Sequence, residues 1–178
     1  MLHEVNFKDL QFNPHTLFND QWAALMAGDE ATGANAMTIA WGLLGSLWDF
    51  HHSAVAAVYV RESRYTKQFM DREAYFTINV LPSSLRKAHG ILGSKSGRDM
   101  DKFAAAGLTP VYKDGFCYLA EAEEVFVCRK LYAQEIREEL FVDPAVVEKN
   151  YANHDMHTQY MGEIVKVLRN TEEGGETA

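Results

Sequence analysis

Short apolar runs recur along this chain of 178 residues, and several are bounded by Gly, Pro, Asn, Asp or Ser. Runs of this length, rich in β-branched and aromatic residues, are typical of β-strands. We predict strands over residues 21–27, 37–42, 54–60, 74–81, 108–112, 116–119, 125–133 and 160–168. The first of these could also be an isolated helical turn. Because the strands do not alternate strictly with helices, the pattern favours a mainly β, mostly antiparallel barrel over a doubly wound parallel sheet.

Small helices are predicted between the strands. One covers residues 64–72, where Ser63 is placed to cap it, and two others cover residues 83–92 and 99–106. A fourth helix begins at Asp143-Pro144. Residues 45–50 are predicted to form a loop that carries exposed aromatic side chains.

The organisation predicted is one domain over residues 21–169, preceded by an arm of residues 1–20. The polar, Gly-rich residues 170–178 are predicted to be a disordered tail. No stretch approaches 20 consecutive apolar residues, and the N-terminus lacks a signal-peptide pattern, so we expect a cytoplasmic protein that does not enter a membrane. Cys117 and Cys128 are predicted to be buried thiols without a disulfide framework.

Charge and the absence of familiar motifs narrow the possible functions. The 17 Lys and Arg residues against 25 Asp and Glu leave a net charge of −8, which argues against nucleic-acid binding. The chain contains no GxGxxG, GxxxxGK[ST], HExxH or GxSxG motif. The pairs His51-His52 and His154/His157 are weak candidates for a metal site, and we predict none.

Two polar segments remain as candidates for binding chemistry. Residues 61–66 (RESRYT) join two guanidinium groups and two hydroxyl groups at a strand end, which suits a phosphate group. The alternative is a surface arginine paired with Glu62 or Asp71. Residues 35–42 (NAMTIAWG) carry an amide, a hydroxyl and an indole on a short strand, which suits a flat heteroaromatic ring. Here the alternative is a core strand with a buried Trp.

Together the two segments resemble the flavin reductase-like, FMN-binding split-barrel family, in particular its flavoredoxin-like branch. The segment 35–42 resembles the family's N-x-M-T-x-x-W stretch, and Arg61-x-x-Arg64-x-Thr66 resembles its phosphate-binding stretch. Residues 96–103 (SGRDMDKF) resemble its SGRDxDKF loop. His157-Thr158, followed by residues 162–165 (GEIV), resembles its HT…GEVV ending. The implied fold is a six-stranded antiparallel Greek-key split β-barrel that forms a homodimer, with two FMN sites at or near the dimer interface.

The resemblance also implies roles for individual residues. The phosphate of FMN is assigned to Arg61, Ser63, Arg64, Tyr65 and Thr66. The flavin ring is assigned to the segment Met37, Thr38, Ile39, Ala40 and Trp41, with Asn35 and Trp41 at its rim. Lys102 is expected beside the N1–C2=O region of the ring, where a cation stabilises anionic reduced flavin. His157 is expected to contact the flavin or a substrate, and Asn79 to reach the ribityl chain or the phosphate. His89 and Ser94-Lys95 are expected at the entrance used by a nicotinamide.

Most of these assignments have a structural alternative. Lys102 could be a solvated helix residue, His157 a structural histidine, and Asn79 a buried amide bonded to the main chain. Residues 48–52 depart from the family pattern, which expects a proline-containing loop there, so substrate specificity is not carried over.

Two functions follow from the resemblance. The first is an FMN-dependent oxidoreductase of the NAD(P)H:flavin reductase type, in which a nicotinamide passes hydride to flavin N5. The second is a flavoredoxin-like electron-transfer protein without nicotinamide activity of its own, whose acidic surface would dock a basic redox protein partner.

Overall fold

The computed structural model describes residues 2–48 and 54–170, and the fold is mainly β, as predicted. The described residues form ten strands, all paired in antiparallel fashion. Their bounds are β1 Leu2–Val5, β2 Ala23–Asp29, β3 Gly33–Ile39, β4 Gly42–Gly45, β5 Val55–Arg61, β6 Tyr75–Val80, β7 Pro110–Lys113, β8 Phe116–Leu119, β9 Glu124–Glu135 and β10 His157–Asn170.

Eight of these strands form one sheet, in the order β3-β2-β6-β9-β10-β5-β4, with β1 added to the far part of β10. The sheet has six longer strands, which is the number that the resemblance implies. The four-residue strands β1 and β4 extend this sheet. No ladder joins β3 to β4 among the described strands, so the barrel is split at that point. β7 and β8 form a separate hairpin.

The helices are short and sit in the connections. Their bounds are α1 Pro14–Thr16, α2 Thr66–Arg72, α3 Arg86–Ser94, α4 Lys102–Ala106 and α5 Pro144–Asn150. Asp143 caps α5, because its side chain accepts a hydrogen bond from the amide of Ala145. The predicted cap of α2 is wrong: the residue before the helix is Tyr65, which makes no side-chain cap, and Ser63 bonds elsewhere.

The curved sheet separates two apolar layers. Every second side chain of a strand points into the barrel. There, residues from the two ends of the sheet pack together, including Leu25 of β2, Met37 of β3 and Val58 of β5. The outer layer packs α3 and the β7–β8 hairpin against the opposite faces of β2, β3 and β9. Met37 and Ala36 therefore belong to different layers, as the two-residue period of a strand requires.

The N-terminal residues pack against the barrel: β1 pairs with β10, and Leu17 and Phe18 are buried in the inner layer. Cys117 and Cys128 are free and buried, as predicted. Residues 49–50 of the predicted loop, residues 49–52 of the stretch that departs from the family pattern and residues 171–178 of the predicted tail lie outside the described residues. None of the described helices is both long and apolar enough to cross a membrane, and the cytoplasmic location stays a prediction.

Candidate functional site

A polar pocket of about 170 Å³ lies at the split of the barrel. Its walls come from the end of β3 and the link to β4, from β5, and from the first residue of β10. The lining residues are Met37, Thr38, Ile39, Ala40, Trp41, Tyr59, Arg61, Arg64 and His157. We call this the arginine pocket. It unites most of the predicted ring segment with two of the predicted phosphate ligands.

Strand geometry brings these residues together. Val58 and Val60 point into the inner core, so Tyr59 and Arg61 occupy the other face of β5. His157 is the register partner of Arg61 in the β5–β10 pair. Trp41 lies between β3 and β4, and its ring centroid is 4.7 Å from that of His157. Trp41 is 42% exposed, so it is a wall of the pocket rather than a core residue.

Both arginines are held by main-chain carbonyl groups. Arg61 donates to the carbonyl oxygens of Asp155 at 2.6 Å and of Asn150 at 3.1 Å. Arg64 donates to the carbonyl oxygen of Gly93 at 2.8 Å. Within residues 2–48 and 54–170, neither guanidinium forms an ion pair. The two positive charges therefore face the pocket without a described carboxylate to neutralise them.

The alternative of a surface pairing with Glu62 or Asp71 is not what the structure shows. Both carboxylates form ion pairs with Lys67 instead: its Nζ lies 3.5 Å from Glu62 and 2.8 Å from Asp71. Asp71 in addition accepts a hydrogen bond from the hydroxyl of Tyr160.

His157 is buried beside the arginines. Its Nδ1 lies 3.0 Å from the hydroxyl of Tyr151. Burial and the Arg61 guanidinium lower the pKa of His157 to about 4. The imidazole is therefore neutral at pH 7, and it can donate or accept a hydrogen bond there but carries no charge.

Thr38 anchors the β3 wall of the pocket to α3. Its hydroxyl donates to the carbonyl oxygen of His89 at 2.7 Å. Gly93 lies close by, because a Cβ added there would be 3.4 Å from the Thr38 Cβ. A larger cavity of about 470 Å³, lined largely by apolar and aromatic residues, adjoins the pocket and shares Ala40, Trp41 and Tyr59 with it.

Four predicted ligands are near the pocket but do not line it. The Ser63 hydroxyl donates to the Asp155 carboxylate at 2.6 Å. The Asn35 amide donates to the Thr66 hydroxyl at 2.7 Å, and both side chains are buried. Tyr65 packs against Phe69, with the Arg98 guanidinium over its ring at 4.7 Å. These side chains join α2 to β3 and to the α5–β10 connection, so they support the pocket wall.

Lys102 and Asn79 lie away from the pocket. Lys102 Nζ donates to the carbonyl oxygens of Ala36 at 2.7 Å and Leu92 at 2.8 Å, so its ammonium group is already bonded. The Asn79 amide donates to the Ala24 carbonyl oxygen and accepts from the Leu119 amide. Asn79 is thus the buried, main-chain-bonded amide that the alternative described. The structure does not bring either residue into the site.

His89 is buried behind Thr38 and does not line the arginine pocket. Burial together with Arg86 lowers its pKa below the usual value. Ser94 and Lys95 are exposed at the end of α3, and neither lines the arginine pocket.

Sequence reasoning missed Tyr59 and Tyr151. The position of Tyr59 could have been predicted. It lies two residues before Arg61 on a strand, so the two side chains share one face of the sheet. Tyr151 follows α5 and carried no such signal, because its contact with His157 depends on how the connection between α5 and β10 folds back. Among the described residues, no group of three or more His, Cys, Asp or Glu side chains is placed to hold a metal ion.

Solved structures with this fold come from distant relatives. The chain is 16% identical to an FMN-binding domain of a flavin reductases-like enzyme from Shewanella baltica, with a TM-score of 0.66, over 99% of this chain and 81% of that one. It is 18% identical to a flavoredoxin from Methanosarcina acetivorans, with a TM-score of 0.66, over 93% and 76%. For a flavoredoxin of Desulfovibrio vulgaris the identity is 21% and the TM-score 0.61, over 92% and 78%.

The family itself is shown by the sequence. No curated protein matches the chain. The model of the flavin reductase like domain matches residues 21–177, which include every residue of the arginine pocket. By that match over most of its length, the chain belongs to the flavin reductase-like domain family.

Proposed function

We propose that the chain binds FMN in the arginine pocket and works as an FMN-dependent oxidoreductase. The observation that carries this proposal is the pair of guanidinium groups, Arg61 and Arg64, which face the pocket with no described carboxylate partner in a chain of net charge −8. Such a pair suits a phosphate dianion, to which arginine donates charge-assisted hydrogen bonds.

The rest of the pocket also fits a flavin. Arg61 and Arg64 would hold the phosphate, and the main chain between Thr38 and Trp41 would meet the polar edge of the ring. Because Ala40 and Trp41 lie between β3 and β4, their peptide groups are outside both strands and available to a ligand. The Trp41 indole and the adjoining cavity supply the apolar surface that a flat ring needs.

The proposed reaction is the reduction of flavin by NADH or NADPH. When bound, FMN supplies a two-electron acceptor that takes hydride at N5. The chain would orient the reactants and shield them from water. His157 is neutral at pH 7 and Lys102 lies away from the pocket, so neither is proposed as a proton donor in the hydride step.

The second candidate is a flavoredoxin-like electron carrier without nicotinamide activity. Two of the similar solved structures are flavoredoxins. The net charge of −8 would steer a basic redox partner toward the chain. An absorbance spectrum, followed by anaerobic addition of NADH or NADPH, separates the two. Prompt bleaching of the flavin band indicates the reductase, whereas bleaching by dithionite alone indicates the carrier.

The phosphate assignment is tested by comparing FMN with riboflavin, which lacks the phosphate. We expect Arg64→Ala to weaken FMN binding by about 1.5–3 kcal/mol, which is roughly a 10- to 150-fold rise in Kd, and to leave riboflavin binding nearly unchanged. The matched control is Arg72→Ala, which removes the same charge from an exposed arginine paired with Glu73. Equal FMN affinity in the Arg64 and Arg72 variants would place the phosphate elsewhere.

A further inference from the structure

Tyr151 and His157 form a buried couple beside the arginine pocket. Tyr151 is 2% exposed and His157 is 7% exposed. The Tyr151 hydroxyl lies 3.0 Å from Nδ1 of His157, and the two ring centroids are 5.6 Å apart at 81°. The Arg61 guanidinium lies 5.4 Å from the centre of the Tyr151 ring. Both rings are thus fixed by their surroundings.

The hydrogen bond has a preferred direction. A buried hydroxyl proton needs an acceptor, and within the described chain the only hydrogen-bond partner of the Tyr151 hydroxyl is Nδ1 of His157. Tyr151 therefore donates, and Nδ1 accepts. An imidazole that accepts at Nδ1 and is neutral carries its proton on Nε2.

The other ring nitrogen of His157, Nε2, is available to a ligand. No described residue bonds Nε2 of His157, while the residue itself lines the arginine pocket next to Arg61 and Trp41. A ligand that fills this pocket would meet an N–H group at His157.

We propose that Tyr151 is a positioning residue that holds His157 as the neutral Nε2–H tautomer, so that His157 presents a hydrogen-bond donor to an acceptor atom of the bound ligand. The choice of FMN as that ligand rests on the proposed function. The tautomer itself does not depend on it, because it is set by contacts within the chain.

The tautomer is measured directly on the ¹⁵N-labelled full chain without ligand. At pH 7, long-range ¹H–¹⁵N spectra report which imidazole nitrogen carries the proton, and His157→Gln identifies the His157 signal. We expect an unprotonated Nδ1 and a protonated Nε2 in the unaltered chain. A proton on Nδ1 would overturn the proposal without need of any variant.

Tyr151→Phe then tests the role of the hydroxyl. We expect a mixture of the two tautomers in this variant and a rise in the Kd of FMN of about three- to tenfold, the scale of one neutral hydrogen bond. The control is Tyr160→Phe, which removes the hydroxyl of another buried tyrosine, bonded to Asp71, and should leave the His157 signal unchanged. A thermal unfolding midpoint confirms that each variant is folded.

The outcomes are distinct. An unchanged tautomer in Tyr151→Phe overturns the positioning role, and a changed tautomer with unchanged FMN affinity overturns the donor role toward the ligand. If the unaltered chain does not bind FMN at all, the proposed function fails, while the tautomer measurement still decides the role of Tyr151.

Discussion

Lys102 is a buried charged side chain outside the arginine pocket. It is 4% exposed, and its Nζ joins β3 to α3 through the carbonyl oxygens of Ala36 and Leu92. Burial, with the Arg64 guanidinium adding to it, lowers the pKa of Lys102 to about 8. The protein thus folds around an ammonium group that would be better solvated in the unfolded chain.

This pKa predicts a pH dependence of stability. Between pH 8 and about 10.5, the unfolded chain binds the proton at Lys102 more strongly than the folded chain, so the free energy of unfolding rises with pH in this window. Relative to Lys102→Met, we expect the unaltered chain to gain roughly 2–4 kcal/mol across it. Chemical denaturation at pH 7.5, 9 and 10.5 measures the difference, and parallel curves for the two proteins would contradict the assignment.

Residue type alone did not show which of the predicted ligands line the pocket and which are bonded inside the fold. The spacing of Arg61 and Arg64 after a strand predicted a charged site, and both residues line the pocket. Asn35 and Asn79 carry an amide that could hydrogen-bond a ligand. In the structure, each amide donates its hydrogen bond to another group of the chain instead. Which polar groups find partners is decided by tertiary packing, and the sequence pattern does not contain that information.

At the scale of elements, β4 is held against the arm by a close approach. Gly42 begins the strand, and a Cβ added there would lie 2.4 Å from Cε1 and Cζ of the Phe18 ring. Phe18 is buried in the inner layer, so its ring has little room to move. The absence of a side chain at Gly42 therefore lets the arm pack under the strand that follows Trp41.

We expect Gly42→Ala to lower the free energy of unfolding by about 1–3 kcal/mol, because the added methyl group overpacks the Phe18 site. Gly45→Ala is the matched control at the other end of β4, where an added Cβ would meet nothing within 4 Å. Urea denaturation compares the two variants. Equal loss in both would show that glycine flexibility in β4, and not the Phe18 contact, sets the stability.

The sequence located some strands and helices correctly and missed others. β8 and the start of α5 were located because an aromatic run between turns and an Asp-Pro pair are strong local signals. β4 was not separated from its neighbours, since Gly-Leu-Leu-Gly is too short to show a period. Its strand form comes from pairing with β5, which is a tertiary effect.

At the scale of the whole molecule, large apolar side chains are exposed close to the site. Trp41 and Leu43, which is 60% exposed, line the adjoining cavity together with Phe141. The exposed Leu140 and Val142 flank Phe141 in the chain. Single exposed apolar residues are ordinary, but several close together are typical of an interaction surface. We propose that a second copy of this chain covers it, in keeping with the homodimer that the resemblance implies.

Sedimentation equilibrium of the unaltered chain should then give twice the mass of one polypeptide. We expect Leu43→Asp to give a single-chain mass, because a carboxylate placed in the covered surface would lose its hydration without a partner. Val165→Asp is the control, since Val165 is also exposed but lies on β10 beside β1, away from the cavity. A monomeric unaltered chain, or a Leu43→Asp variant that remains dimeric, would show that the exposed apolar surface at β4 is not the dimer contact.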